Sequence, residues 1–350
     1  MNLYLLLDVF IAFIVEMFIG NPQWMPHPVK FIKWLAKIFE KVFRKIFGSV
    51  SNKKIKAMGD DFVHSGVMSN RNEKVAGIYF TIIMCLLITA IVSAVTLAAY
   101  FVHPIAYHVV NIYFIYSAFA ARSIAAEGIK VLDAIKDRDV FRAGNILASI
   151  VGRKIEHLDE QDIIRGTVEV TAENTSELVI SPIFYVVLGS IFGAGAPLVY
   201  LYKTINTLNT MKEYKTENNK RFRWACSKIN DFLNYIPARI TGLLFVAGAL
   251  VTGKDSSGSR AIMNRDKRKH FSPNSGYPEA AVAGALGIRL GGSGLYFGDI
   301  VEKPIIGDDK RSAEMRDISD TINMMYAAGI IGLICFSVVY LLVFVAFQFI

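Results

Sequence analysis

Four stretches of this chain, residues 1–19, 75–121, 180–202 and 325–350, contain no lysine or arginine, although the chain carries 38 of them. The basic residues gather in between: eleven in 20–74, eight in 122–179, seven in 203–235 and eleven in 252–324, with Arg239 alone in 236–251. A soluble fold spreads its charges over its whole surface. A chain zoned into cation-free apolar blocks and charged connections is built to hold those blocks in lipid. Composition agrees, with 53% hydrophobic and 19% charged residues, against about 25% charged in an average soluble domain. This excludes disordered, collagen-like and disulfide-scaffold chains. Cys85, Cys226 and Cys335 have no CxxC spacing and read as small buried hydrophobes.

A helix needs about 20 apolar residues to cross the hydrocarbon core. Block 75–121 divides at His103-Pro104 into Val75–Val102 and Ile105–Ala121, and Met325–Ile350 is the most continuous apolar run. Leu3–Ile19 is just long enough, so four spans are expected. Residues 1–19 have neither a basic n-region nor a small-x-small cleavage site and are expected to be a retained helix. Asp8 and Glu16 lie about 80° apart on it and should face other helices or a polar cavity. Pro182–Tyr202 is interrupted by Gly189, Gly193, Gly195 and Pro197, and Ile236–Val251 is short. If each crossed once, loop 203–235, with seven basic against three acidic residues, would lie opposite its neighbours, against the positive-inside bias. Re-entrant or interfacial segments instead leave 122–324 on one side.

The expected fold is therefore all-α and polytopic. It has about four transmembrane helices, one or two re-entrant or interfacial helical segments and large cytoplasmic helical loops, in one membrane-embedded domain spanning 1–350. Residues 20–74, with eleven basic against four acidic residues, should face the cytoplasm, with the N-terminus outside. Within them Val29–Phe47 alternates apolar positions with Lys30, Lys33, Lys37, Lys41, Arg44 and Lys45, the pattern of a helix lying on anionic lipid or packed on its own domain.

A transporter concentrates polar residues inside its spans and often shows related halves. Here the spans are bland, no repeat is visible, and polar groups crowd the loops, which favours membrane-bound chemistry. Glu169, Glu173 and Glu177 fall at i, i+4 and i+8, one acidic stripe on a helix, able to hold magnesium through one or two carboxylates or to be a solvated face. The apolar run Leu178–Val187 follows and presses the end of the stripe toward the membrane boundary, where acidic groups need partners. Lys203 and Arg239 sit at the edges of apolar blocks beside amide-rich and hydroxyl-rich turns, as phosphate or carboxylate ligands or as snorkelling anchors. Ser272-Pro273-Asn274-Ser275-Gly276 is a turn, and Gly291-Gly292-Ser293-Gly294 can aim amides at a phosphate, though it is neither a P-loop nor GxGxxG. Six scattered histidines offer no HExxH, no nucleophile elbow is present, and aromatics do not interleave with basic residues, so zinc, hydrolase and nucleic-acid functions are poor fits.

Taken in order, these segments resemble the CobD/CbiB family of cobalamin biosynthesis, the integral-membrane adenosylcobinamide-phosphate synthases. The resemblance rests on Gly20-Asn21-Pro22 with Pro26-His27-Pro28-Val29, Ala121–Gly128, Val151-Gly152-Arg153, Glu169 with Ala172-Glu173-Asn174, Tyr202-Lys203 with Asn206-Thr207-Leu208, Asn234–Arg239, and Ser272-Pro273-Asn274 through Gly291-Gly292. The family usually has an acidic residue where this chain has Asn21, Gly-Arg-Asp-Thr where it has Lys154-Ile155 after Gly152-Arg153, and Asp-Ser where it has Asn209-Thr210. These departures leave Glu169, Glu173 and Asp231 as the metal candidates.

The resemblance implies ATP-dependent amide ligation of aminopropanol or its phosphate to the propionate carboxylate of adenosylcobyric acid, with Mg2+, in the cell membrane. The site it implies places Glu169 and Glu173 on magnesium and Lys203, Lys212 and Arg239 on phosphates. Asn174, Asn206 and Asn274 would orient substrate, and Arg153 and Arg289 would receive aminopropanol phosphate or corrin carboxylates. Expected partners are the two substrates, membrane lipids and other cobalamin-assembly membrane enzymes. The competing readings are a membrane phosphotransferase acting on a lipid phosphate and a non-catalytic corrinoid-binding membrane protein.

Overall fold

Each cation-free block folds as helix in the computed structural model, which describes residues 2–22, 24–57, 70–151, 159–211, 219–296 and 299–349. In chain order the helices are α1 (Leu3–Ile19), α2 (Pro28–Ala57), α3 (Asn70–Val102), α4 (Pro104–Ala118), α5 (Ala121–Lys136), α6 (Val140–Val151) and α7 (Glu160–Thr175). A π-helical turn, Ser176–Ile180, joins α7 to α8 (Ser181–Ile191), followed by α9 (Gly195–Thr210), α10 (Trp224–Leu233), α11 (Tyr235–Val251), α12 (Ser256–Asp266) and α13 (Gly276–Leu286). Two strands, β1 (Leu290–Tyr296) and β2 (Asp299–Ile306), precede α14 (Met315–Ala346).

Among the described residues four helices are long and apolar enough to cross a membrane: Arg71–Val102, Pro104–Lys136, Glu160–Ile191 and Met315–Ala346. The number matches the sequence expectation and the membership does not. At 17 residues α1 is shorter than these, and its place is taken by Glu160–Ile191. There the π-helical turn keeps α7 and α8 in one rod, so the acidic stripe and the apolar run after it share a helix. The α10–α11 pair is bent by 47°. α14 begins at Met315, upstream of the purely apolar run, because Glu314 and Asp317 form a capping box and Arg311 pairs with the buried Asp317.

α8 and α9 form a tight helical hairpin. Gly193 takes φ +72°, and a Cβ on Gly189 would lie 2.5 Å from the Ala194 carbonyl oxygen, so the glycines that interrupt the apolar run make the turn. The acidic residues of α1 face inward as expected. Asp8 accepts from Asn111 Nδ2 at 2.7 Å and meets His108 Nδ1 at 2.9 Å, while Glu16, fully buried, accepts from the Arg122 amide at 3.0 Å. α2 packs one face on the protein, where Ile32, Ala36 and Phe43 are buried, whereas Phe31, Trp34, Ile38, Val42 and Ile46 form an exposed apolar stripe.

The β1–β2 hairpin departs from the all-helical expectation. Glycine-rich 290–296 is a poor helix former, and 299–306 is rich in β-branched residues. The antiparallel register runs from Leu290 opposite Ile306 to Tyr296 opposite Asp299, with a bulge between Leu290 and Gly292. Gly291 sits there at φ +76°, where a Cβ would be 2.2 Å from the Pro304 carbonyl oxygen. Beneath it, α12 and α13 approach through Gly258 and Gly284, a Cβ on Gly284 falling 2.3 Å from the Gly258 carbonyl oxygen. This small-residue packing lets backbones touch where larger side chains would hold them apart.

Candidate active site

The first two carboxylates of the stripe on α7 point at one layer, formed by α13, the loop before it and the β-hairpin. Glu169 Oε1 accepts from the Gly291 amide at 2.7 Å and Oε2 from Lys303 Nζ at 2.7 Å. The glycine-rich turn therefore aims its amide at a carboxylate of the protein itself. One helical turn on, Glu173 Oε1 accepts from Ser275 Oγ at 2.7 Å, and its Oε2 takes no hydrogen bond from the described residues. His270 and Glu279 complete the cluster. His270 Nδ1 accepts from the Ser272 amide at 2.9 Å, so the neutral ring carries its proton on Nε2, which lies 3.8 Å from Glu279 Oε1. Burial, reinforced by Glu169 and Glu173, pushes Glu279 well above the ordinary carboxylate range. Burial also lowers His270, against the pull of Glu173 and Glu169.

His270 belongs as well to an open basic cavity of about 300 Å³, lined with Tyr235, Arg239, Lys267, Arg268, Ser272, Pro273 and Tyr277. The Arg239 guanidinium lies over the Tyr235 ring at 3.3 Å and faces Tyr277 at 4.6 Å. The two aromatic faces hold the cation in place without neutralising it. Three cations thus border a void beside two carboxylates, an arrangement suited to polyphosphate recognition.

The third carboxylate of the stripe faces a different set. Glu177 accepts from Asn206 Nδ2 at 2.8 Å and Asn230 Nδ2 at 3.3 Å, and Asn274 Nδ2 donates to the Asp231 carbonyl at 2.8 Å. Tyr202 and Ser181 both donate to Asn234 Oδ1. Asn174 is half-buried beside Glu173.

Lys203 lies apart from the cavity. It is buried, donates to the Ala118 carbonyl at 2.8 Å and neighbours Glu16 and Glu177 electrostatically. Arg289 pairs with Asp309 at 3.6 Å. Arg153 and Lys212 fall outside the described residues.

The structure thus brings Glu169, Glu173, Asn206, Asn274 and Arg239 around one polar end of the bundle and leaves Lys203 and Arg289 with other partners. Sequence reasoning gave no role to His270, Glu279, Lys303, Lys267 or Arg268. Glu279 carried a usable signal, a lone acid opening the apolar run Ala280–Leu286.

Magnesium can be tested against this donor set. Glu169 has both oxygens engaged, and among the described residues no three His, Cys, Asp or Glu side chains converge in metal-binding geometry. A protein-made cage does not fit. Magnesium held by one carboxylate together with substrate phosphates and waters does fit, and Glu173 is the carboxylate with an oxygen to give.

Residues 9–325 match the family model described as CobD/Cbib protein. The chain is 36% identical over 329 residues to "Cobalamin biosynthesis protein CobD" of Clostridium perfringens, covering 94% of this chain and 96% of that one. It is 38% identical over 320 residues to the protein of that name from Geobacter metallireducens, covering 91% and 92%. No solved structure matches.

Proposed function

The chain belongs to the CobD/CbiB family of cobalamin biosynthesis, and on that footing we propose that it is the ligase that joins aminopropanol, or its phosphate, to the propionate carboxylate of adenosylcobyric acid using ATP. The observation that carries this reading is that one turn serves both: His270, Ser272 and Pro273 line the cavity bordered by Arg239, Lys267 and Arg268, and Ser275 bonds Glu173 at 2.7 Å. A carboxylate does not react with an amine at neutral pH until its oxygen becomes a leaving group. In the proposed reaction the propionate oxygen attacks the γ-phosphorus of ATP, the bond to the bridging oxygen breaks and ADP departs. The amine, having lost its ammonium proton to solvent, then attacks the acyl carbon through nitrogen, phosphate leaves, and the nitrogen gives up a further proton to the departing phosphate as the amide forms.

Arg239, Lys267 and Arg268 would bind the phosphates and stabilise the charge that builds on them. Glu173 would hold magnesium, which when bound neutralises phosphate charge. Lys303 and the Gly291 amide fix Glu169 in place, and Glu169 and Glu173 in turn set the field around His270 and Glu279. Lys203 is assigned to positioning, since its ammonium is buried against the Ala118 carbonyl. The reading requires the basic cavity to open to the cytoplasm, where ATP is available.

The test is nucleotide turnover by the purified chain in detergent. ADP release should require both adenosylcobyric acid and the amine. Turnover supported by a lipid phosphate without corrinoid would replace this reading with a lipid phosphotransferase, and corrinoid binding without ADP release would leave a non-catalytic carrier.

A further inference from the structure

The polar ring beside the carboxylates holds two buried amide oxygens that no donor reaches among the described residues. Glu177 stands on the π-helical turn, a distortion that re-aims side chains and recurs at functional sites. It takes the Nδ2 donors of Asn206 and Asn230. Asn274 spends its Nδ2 on the Asp231 carbonyl, and the adjacent Ser275 donates to Glu173. The contacts close a circuit from Glu177 through Asn230, Asp231, Asn274 and Ser275 back to Glu173, one helical turn from where it began. Inside it, Asn230 Oδ1 and Asn274 Oδ1 have no hydrogen-bond partner among the described residues, and neither has Ser176 Oγ. The three residues are 2%, 7% and 4% exposed. Turning either amide over would break the bond its Nδ2 already makes. The two amide oxygens can be met only by donors, while the Ser176 hydroxyl can accept as well as donate.

We infer that this ring is the subsite for the ammonium group of a small amino alcohol, the amine co-substrate. A primary ammonium offers three N–H donors and no acceptor, which matches two amide oxygens set beside the Glu173 and Glu177 carboxylates. Ser272 and Pro273, the residues just before Asn274, line the basic cavity. An amine carrying a phosphate ester would therefore place its anion toward Arg239, Lys267 and Arg268 once ADP has left them, while its nitrogen rests on the ring. A nucleotide phosphate or a corrinoid carboxylate, with only acceptors to offer, would meet acceptors here and be repelled. The assignment rests on the ligase reading for the identity of the amine.

The test uses the full chain in detergent with three probes, 1-aminopropan-2-ol, its O-phosphate and propane-1,2-diol, and reads both calorimetric binding and the KM of ligation. The wild type should bind both amines and not the diol, and the phosphate should add affinity that Arg239→Ala removes. Asn230→Leu should weaken amine binding about tenfold, the worth of one hydrogen bond to a charged donor, with the KM for ATP unmoved. Ser176→Ala, a milder change, should act in the same direction. Equal binding of amine and diol, or amine affinity unchanged in Asn230→Leu and Ser176→Ala, overturns the subsite. Amide product from the wild type with an unmoved amine KM in both variants removes the subsite and leaves the ligase. Amine binding that these variants abolish, in a wild type that makes no amide, removes the ligase and leaves the subsite.

Discussion

Lys303→Met should destabilise the protein, and adding Glu169→Gln should repair most of the damage. Lys303 Nζ lies 2.7 Å from Glu169 Oε2, and the two side chains are 28% and 11% exposed. Losing the ammonium leaves a nearly buried carboxylate with one remaining donor, the Gly291 amide. Orphaning one member of a fully buried pair costs about 3–5 kcal/mol. Because Lys303 is partly exposed, water can reach the vacated side and screen the charge, which brings the expected loss to about 2 kcal/mol. In the double variant a neutral amide keeps the Gly291 bond and needs no counter-charge, so the loss should shrink to within about 1 kcal/mol of wild type. Unfolding in mixed micelles titrated with a denaturing detergent measures all three proteins. Additive losses, with the double variant weaker than either single one, would refute the claim that the hairpin is fastened to α7 by this ion pair.

Other consequences follow from particular contacts. Glu173→Gln should raise the magnesium concentration for half-maximal ADP release by at least about tenfold, the lower end of what outer-shell metal partners command; near-normal magnesium dependence would sink its assignment. Gly291→Ala should release the hairpin from Glu169, since its Cβ would fall 2.2 Å from the Pro304 carbonyl oxygen, and faster proteolysis within 290–306 would report it. His27 donates from Nε2 to Asn21 Oδ1 and accepts from the Val29 amide at Nδ1. Burial, helped by Lys203, Lys30 and Lys33, pushes this imidazole down from its ordinary 6.5 to about 4. The unfolded chain takes up that proton near pH 6.5 and the folded chain only near 4, so the contribution is complete above pH 6.5 and is lost as pH falls through that window. Discounted for partial exposure, it amounts to about 2 kcal/mol. His27→Gln should flatten the acid slope of stability, and an unchanged slope would refute the assignment.

The membrane class and much of the helical layout could be read from where lysine and arginine are missing, because exclusion of charge from lipid acts residue by residue along the chain. The inward turn of Asp8 and Glu16 followed from the same rule. Which block counts as a span was less legible: a π-helical turn is a backbone event with no composition of its own, and it alone makes Glu160–Ile191 one rod. The β-hairpin was hidden because Gly291–Gly294 looked like a phosphate turn, and only the fold reveals that its amide serves Glu169. For the site, the i, i+4 spacing found Glu169 and Glu173, but their partners Lys303, Ser275 and His270 lie about 100 residues or more away along the chain. Lys203 and Arg239 look alike in sequence, each a lone cation at the edge of an apolar block. Packing separates them, burying one against a backbone carbonyl and leaving the other stacked on two tyrosines at the cavity.

The most direct measurement of the central claim is the mass of the corrinoid recovered after the purified chain is incubated with adenosylcobyric acid, ATP, magnesium and either aminopropanol or its phosphate. The account predicts a corrinoid heavier by the amine less one water, formed in step with ADP and absent without ATP. Unchanged corrinoid in the presence of both amines, with ATP intact or its phosphate transferred to lipid, would contradict it.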